Sequence, residues 1–259
     1  MNVLFIGDIV GSCGRSVIKE KLGLIKSKYN IDLCIANAEN AAAGLGITGS
    51  IAKDLYSFGI DIITLGNHTW SKSEIFNYID SDERMARPAN GAPKWPGKGY
   101  SVKNTPYGNV VVLNLLGRVG MDPSNCPFER TEQMLDELKA KYETKIAIID
   151  FHAEATSEKI AYARYFDGRV SLIVGTHTHV QTADEQIFER GTGYITDVGM
   201  TGPFDSVIGM DMKSSIKRFV EKVPVPYMVA NGPSMLSFIV AKIDEKTGRT
   251  TQIQRMCIR

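Results

Sequence analysis

Residues 2–37 read NVLFIGDIVGSCGRSVIKEKLGLIKSKYNIDLCIAN, and this stretch decides which kind of fold the chain can adopt. Its two ends, NVLFI and DLCIAN, are compact apolar runs without the alternation of a strand that has one wet face. Each therefore reads as a buried strand. Between them RSVIKEKLGLIKSKYN sets Ile18, Leu22, Ile25 and Tyr29 on one face at helical spacing. Asp8 and the Gly11/Gly14 pair close the first strand with a turn. Two buried strands joined through one helix are parallel neighbours, related by a right-handed crossover.

The same unit repeats downstream. A helix around residues 48–58, with Ile51, Leu55 and Phe58 inward, leads to the buried run DIITLG. NHTW and a short helix carrying Ile75, Phe76 and Ile79 follow. Residues 84–99, rich in Pro, Gly and Ala, are expected to be loop. GYSVKNT and NVVVLNLL then read as an antiparallel pair around Pro106–Gly108. After the loop GRVGMDPSNCP, ERTEQMLDELKAKY predicts a helix with Met134, Leu138 and Tyr142 aligned. KIAIIDF predicts a buried strand, residues 156–166 a helix, and RVSLIVG another strand. Short strands, a helix near 212–222, and strands at 235–242 and 250–258 complete the chain. There is no repeat, low-complexity segment or linker, so one α/β domain with two sheets is expected over residues 1–259.

Bulk properties exclude several classes. Apolar content is 43% and charged content 23%, with a formal net charge of +1, so no general positive field recruits nucleic acid. A small anionic substrate held by local groups is compatible with that balance. Basic clusters such as KEKLGLIKSK are short and mixed with acids, as on a solvated helix face. Cys13, Cys34, Cys126 and Cys257 show no CxxC spacing, and the start MNVLFIGD has no basic leader region. Reduced thiols in the cytoplasm are the expectation. No apolar run approaches the roughly 18 residues that a membrane span needs.

The chemistry gathers at strand ends. Asp8 follows VLFIG, Glu39 and Asn40 follow CIANA, and Asn67 follows ITLG. His152 follows AIIDF, and His177 and His179 follow LIVGT, while His68 sits in LGNHTW. Those are all four histidines of the chain. In doubly wound sheets, ligands bind outside the carboxyl ends of the strands, so the sheet would collect these distant residues at one edge. Carboxylate, amide oxygen and neutral imidazole without thiolate suit hard-to-borderline divalent metals. Seven such groups exceed one tetrahedral ion and suit two ions, about 3.5–4 Å apart, which together clamp an in-line phosphoryl displacement. As a strand the HTH segment would put both histidines on one face; as a loop it could send them to separate ions. Taken singly, each residue also has a plain reading: GNH as turn chemistry, Asp8 as a helix N-cap, HTH as surface histidines. Their concentration at strand ends is what packing does not explain.

In order and spacing, Asp8, Glu39-Asn40, Gly66-Asn67-His68, His152 and Gly175-Thr176-His177-Thr178-His179 resemble the calcineurin-like metallophosphoesterases. Val10 stands where that pattern has its first histidine, Glu39-Asn40 where it has Gly-Asp, and Thr69 where it has an acid. Those departures, with GDIVG, NAENAAAGLGIT and TDVGMTGP, resemble the YmdB-like 2′,3′-cyclic-nucleotide phosphodiesterase branch. The resemblance implies a two-sheet β-sandwich flanked by helices, the four-layer αββα fold. It also implies two metal ions per chain: iron or manganese first, zinc or magnesium as alternatives.

Carried onto this chain, the resemblance makes Glu39 the bridge between the metals. It gives Asp8, Asn40 and His179 to one ion, and Asn67, His152 and His177 to the other. A metal-bridging hydroxide would attack phosphorus, and His68 would be the general acid for the leaving ribose oxygen, oriented by Thr69 or a backbone carbonyl. The expected substrates are cyclic nucleotides, with RNA ends also possible, and the expected assembly is a homo-oligomer using exposed apolar residues of the C-terminal third. Arg118, Met121, Phe128 or Phe204 could reach over the nucleoside, though loop anchoring or core is the plainer reading. A broader phosphomonoesterase or nucleotidase, and a regulatory protein that binds metal and nucleotide, remain alternatives.

Overall fold

A computed structural model describes residues 1–259. The opening stretch forms β1 (Asn2–Ile6), β2 (Asp8–Ile9), α1 (Gly11–Lys28) and β3 (Leu33–Asn37). α2 (Gly49–Ser57), β4 (Ile62–Thr64) and β5 (Met85–Ala86) follow. β1, β3, β4 and β5 pair parallel in that order, as the repeated crossover requires. The region expected to be all loop thus holds a two-residue edge strand. Ala86 also bridges Lys98, and backbone pairing rather than side-chain pattern makes that strand visible.

The second half contributes β6 (Tyr100–Thr105), β7 (Gly108–Leu116), α3 (Pro127–Lys141), β8 (Ile146–His152), α4 (Thr156–Tyr165) and β9 (Leu172–Thr176). β10 (Gln186–Ile187), β11 (Gly193–Ile195), β12 (Met200–Pro203), α5 (Met212–Glu221), β13 (Ser234–Ile243) and β14 (Thr250–Ile258) complete it. One sheet runs β2-β12-β13-β1-β3-β4-β5, with β14 on β13, and the other β10-β11-β9-β8-β7-β6. β6 and β7 pair antiparallel across the turn at Pro106–Gly108, as expected.

Alternate residues of each strand enter different cores, which is why these runs are apolar throughout rather than every second residue. Leu4, Ile6, Cys34 and Ala36 pack under α1 and α2 with Ile18, Leu22 and Leu55. Val3, Phe5, Leu33 and Ile35 turn the other way and meet Val110, Val112, Ile146, Ile148, Leu172 and Val174 between the sheets. Val111, Leu113, Ala147, Ile149 and Ile173 face Leu135, Leu138 and Tyr162 of the outer helices. Three cores between four layers make the helix-flanked αββα sandwich. No helix is long and apolar enough to cross a membrane. α5 buries none of its residues and exposes Ile216, Phe219 and Val220.

Candidate metal centre

The parallel strands β3, β4, β8 and β9 end at one edge, and the loops leaving them carry the candidates. Gly66 is required there: a Cβ on it would sit 2.3 Å from Glu39 Oε2 and 2.5 Å from His152 Nε2. His177 and His179 lie in a loop, with left-handed φ of 100° and 65°. That backbone is costly for imidazole side chains and persists only where the surroundings fix it. Asp8 Oδ2 accepts the His177 amide at 3.2 Å, and Asp197 Oδ2 accepts the Thr178 amide at 3.1 Å.

His152 is the hub. Its Nε2 lies 2.9 Å from Asn67 Oδ1, 3.1 Å from Glu39 Oε1 and 3.1 Å from His177 Nδ1. Ligands around one ion with bonds of about 2.1 Å stand about 3.4 Å apart in a tetrahedron, so these separations are of the right size. Donor atoms of Glu39, His152 and His177 all fall within 4.8 Å of one another, a group able to hold a metal. Behind the ring, Asp150 Oδ1 accepts from Thr176 Oγ1 at 2.6 Å, and Thr176 Oγ1 lies 2.9 Å from His152 Nδ1. With the threonine proton committed to Asp150, His152 donates from Nδ1, and its Nε2 lone pair faces the centre. Asp150 Oδ2 also accepts from Asn37 Nδ2 at 2.9 Å and Thr64 Oγ1 at 2.5 Å.

The electrostatics fit a cation at this point. Burial would raise the Glu39 carboxyl, but His152 beside it outweighs that and brings it to about 2. Burial would lower His152, yet Glu39, then Asp8 and Asp150, push it up to about 9. Burial, then His152, pull His177 down to about 3. Burial pushes Asp8 up to about 6 against the pull of His179 and His152. The buried carboxylates thus favour positive charge at this place, which a metal ion at Nε2 would supply. Two buried oxygens, Asp8 Oδ1 and Asn40 Oδ1, have no hydrogen-bond partner at all. Orphaned acceptors beside oxygen and imidazole donors are what a bound cation would satisfy. The residues present therefore fit the ions implied by the sequence.

The structure brings every predicted residue to this edge. Glu39 Oε2 accepts the His68 amide at 2.8 Å, and Asn40 Nδ2 donates to Gly44 at 2.9 Å. His179 Nδ1 lies 2.9 Å from the Ile208 carbonyl. His68 lines a cavity of about 460 Å³ together with Glu39, Asn40, His177 and His179. Two alternatives left open by the sequence are narrowed. Thr69 Oγ1 is bonded to the Gly66 carbonyl at 2.6 Å, so it does not orient His68, whose Nε2 lies 3.4 Å from Asn67 Nδ2. Of the four side chains considered for the nucleoside, none lines the cavity. Phe128 packs on Tyr162, Tyr165 and Phe166, and Phe204 lies under the Arg259 guanidinium. The apolar wall is instead Leu45, Ile208, Met210 and Tyr227.

Sequence reading also missed the pair that holds the histidine loop. Lys159 on α4, only 1% exposed, donates to Asp197 Oδ2 at 2.7 Å and to the Thr176 carbonyl at 2.8 Å. Nothing in the pattern of α4 distinguishes this lysine from a solvated one. Asp150 did leave a trace, as the one acid inside the apolar run IAIIDF.

Known proteins line up with this chain along its length. The family described as YmdB-like protein matches residues 4–256. A 2′,3′-cyclic-nucleotide 2′-phosphodiesterase of Bacillus subtilis (strain 168) is 48% identical over 258 residues, covering 100% of this chain and 97% of the relative. The crystal structure of a novel phosphatase of Mycoplasma pneumoniae superposes with a TM-score of 0.92 at 36% identity, covering 100% of this chain and 93% of that one. The NAD nucleotidase NadN of Haemophilus influenzae, at 13% identity, a TM-score of 0.55 and 99% and 55% coverage, shares the fold alone.

Proposed function

The chain belongs to the YmdB-like family, and from that premise we propose that it is a metal-dependent phosphodiesterase opening 2′,3′-cyclic nucleotides to 3′-nucleotides. The observation that carries this is one cavity lined by Glu39, Asn40, His68, His177 and His179, with His152 and the orphaned Asp8 oxygen buried against those side chains behind it. Asp8, Asn40 and His179 would hold one ion, Asn67, His152 and His177 the other, with Glu39 shared. Iron or manganese is the proposed metal, since imidazole, carboxylate and amide oxygen without thiolate suit both. When bound, the ions supply Lewis acidity to the phosphoryl oxygens and to the attacking water.

The chain's own residues do the rest. Asp150 and Thr176 fix His152 in the tautomer that leaves Nε2 free. The Glu39 carboxylate ties the His68 backbone, which sets where that imidazole stands. His68 delivers a proton to the 2′ oxygen as its bond to phosphorus breaks, the general-acid task that imidazole most often takes. Leu45, Ile208, Met210 and Tyr227 offer the nucleoside an apolar wall, and about 460 Å³ is room for a mononucleotide. The unpaired cysteines fit a cytoplasmic enzyme. The exposed face of α5 is the surface on which copies would associate.

The test is hydrolysis of 2′,3′-cAMP by metal-loaded protein beside His68→Ala and a chelated control. Expected are 3′-AMP as product, its loss on chelation, and a fall of about 10²–10⁴-fold in kcat for the variant at unchanged metal content. Turnover of the variant within about threefold of the parent removes His68 as the acid. A protein holding two metals that hydrolyses nucleoside monophosphates but not the cyclic ester is a nucleotidase instead.

A further inference from the structure

A second cavity, of about 360 Å³, lies between the loop after β5 and the start of α3 and shares no lining residue with the cavity at the metal centre. Two guanidiniums, Arg87 and Arg130, face it, against the single carboxylate of exposed Glu129. Arg87 is 9% exposed and forms no ion pair. Its Nε donates to the Pro96 carbonyl at 3.0 Å, Nη1 to Pro88 at 2.7 Å and Nη2 to Trp95 at 3.1 Å. Those bonds clamp the guanidinium rigidly, yet each terminal nitrogen keeps a second N–H. Arg130 donates from Nε to the Ala89 carbonyl at 3.1 Å and from Nη1 to Gln133 Oε1 at 3.5 Å, leaving Nη2 free. α3 starts in the same cavity with Cys126 as N-cap, no capping side chain and Pro127 in its first turn, so its leading amides are open donors.

A buried arginine without a carboxylate is uncommon, because its charge has lost water and gained no countercharge. Burial, then the charge of Arg130, hold Arg87 below the usual guanidinium range, and Asp80 offsets this less strongly. Asp80 is itself engaged, accepting the Gly97 amide at 2.6 Å. The local imbalance calls for an anion with several acceptor oxygens.

We propose that this cavity is a second ligand site that binds a terminal phosphate group, through Arg87, Arg130 and the first amides of α3. A concave site with donors on several sides matches a group with three free oxygens better than a diester passing along a surface. Inorganic phosphate and a nucleoside monophosphate present the same group. This inference does not rest on the cyclic-nucleotide reading, since none of these residues touches the metal centre.

Isothermal titration of inorganic phosphate into the metal-loaded protein, beside Arg130→Gln, tests it. Arg130 is only partly buried and lines none of the cavity at the metal centre, so the variant should keep its turnover of 2′,3′-cAMP at low phosphate. The expected result is a phosphate-binding event, additional to any at the metals, that weakens at least about tenfold in the variant. Repeating the titration with 3′-AMP separates the sources: an Arg130-dependent event with nucleotide as well identifies a mononucleotide site, and with phosphate only a free-phosphate site. Identical isotherms for parent and variant with both probes overturn the proposal.

Discussion

Replacing Lys159 with Met removes the buried ammonium that joins α4 to the Thr176 carbonyl and to Asp197, the carboxylate that anchors the histidine loop. The two charges are 0% and 1% exposed, so Asp197 cannot turn to water once its partner is gone. It keeps the amides of Thr178 and Gly199, which soften the loss but do not neutralise it. Breaking one side of such a pair costs about 3–5 kcal/mol. Taking about 4 kcal/mol, and an unfolding entropy of about 2.1 cal/mol/K per residue over this chain, Tm falls by about 7 °C. The double variant Lys159→Met with Asp197→Asn should recover much of that, because no lone charge remains buried. Scanning calorimetry of the three proteins measures it, with metal content recorded in parallel. The single variant should also bind metal more weakly, since Thr178 sits between His177 and His179. A single variant within about 1 kcal/mol of the parent would refute the account, since it would mean the pair adds nothing beyond a solvated one.

Away from the site, Asp61 accepts the Cys34 amide at 3.0 Å and pairs with Lys103 at 3.0 Å and Lys26 at 3.5 Å. Burial opposes its charge, but these partners hold the carboxyl below its usual range. A depressed folded value means stability present above the ordinary carboxylate pKa of about 3.9 and lost as pH falls through the folded one. Asp61→Asn should therefore be less stable near neutrality and lose stability less steeply on acidification; parallel acid profiles by circular dichroism would show the inference wrong. For association through α5, light scattering should give the parent a multiple of the chain mass and Phe219→Lys a smaller species. A monomeric parent removes that reading.

How much of this was legible in the sequence follows from which forces leave a pattern. Strands covered on both faces produce unbroken apolar runs, so β1, β3, β8 and β9 stood out and the layered fold followed from them. Strands of two to four residues, such as β5 and β12, carry too little side-chain signal, and pairing alone defines them. The candidate ligands were readable because few forces besides a ligand put every histidine at a strand end. Lys159 was not, because its burial depends on Asp197, which is 38 positions away in the chain. Tyr227 and Met210 were not, because the irregular segments on either side of α5 have no periodicity to say which way a side chain faces. Thr69, adjacent to His68, was a natural partner by sequence and turned out to be spent on closing its own turn.

β1 has its two neighbours at opposite ends of the chain. β3 lies on one side and β13, residues 234–243, on the other, with Leu4 opposite Val240. On the ribosome the first strand is therefore made more than two hundred residues before half of its backbone partners exist. The strand of Asp8 waits as well, since it pairs with β12 at Met200. During synthesis the growing chain carries a bare, apolar strand edge of the kind that recruits other chains, and the Asp8 carboxylate has no frame to hold it. A metal site at this edge would consequently assemble only after β12 and β13 are made, and slow release or early termination would leave an aggregation-prone intermediate rather than a partly active enzyme.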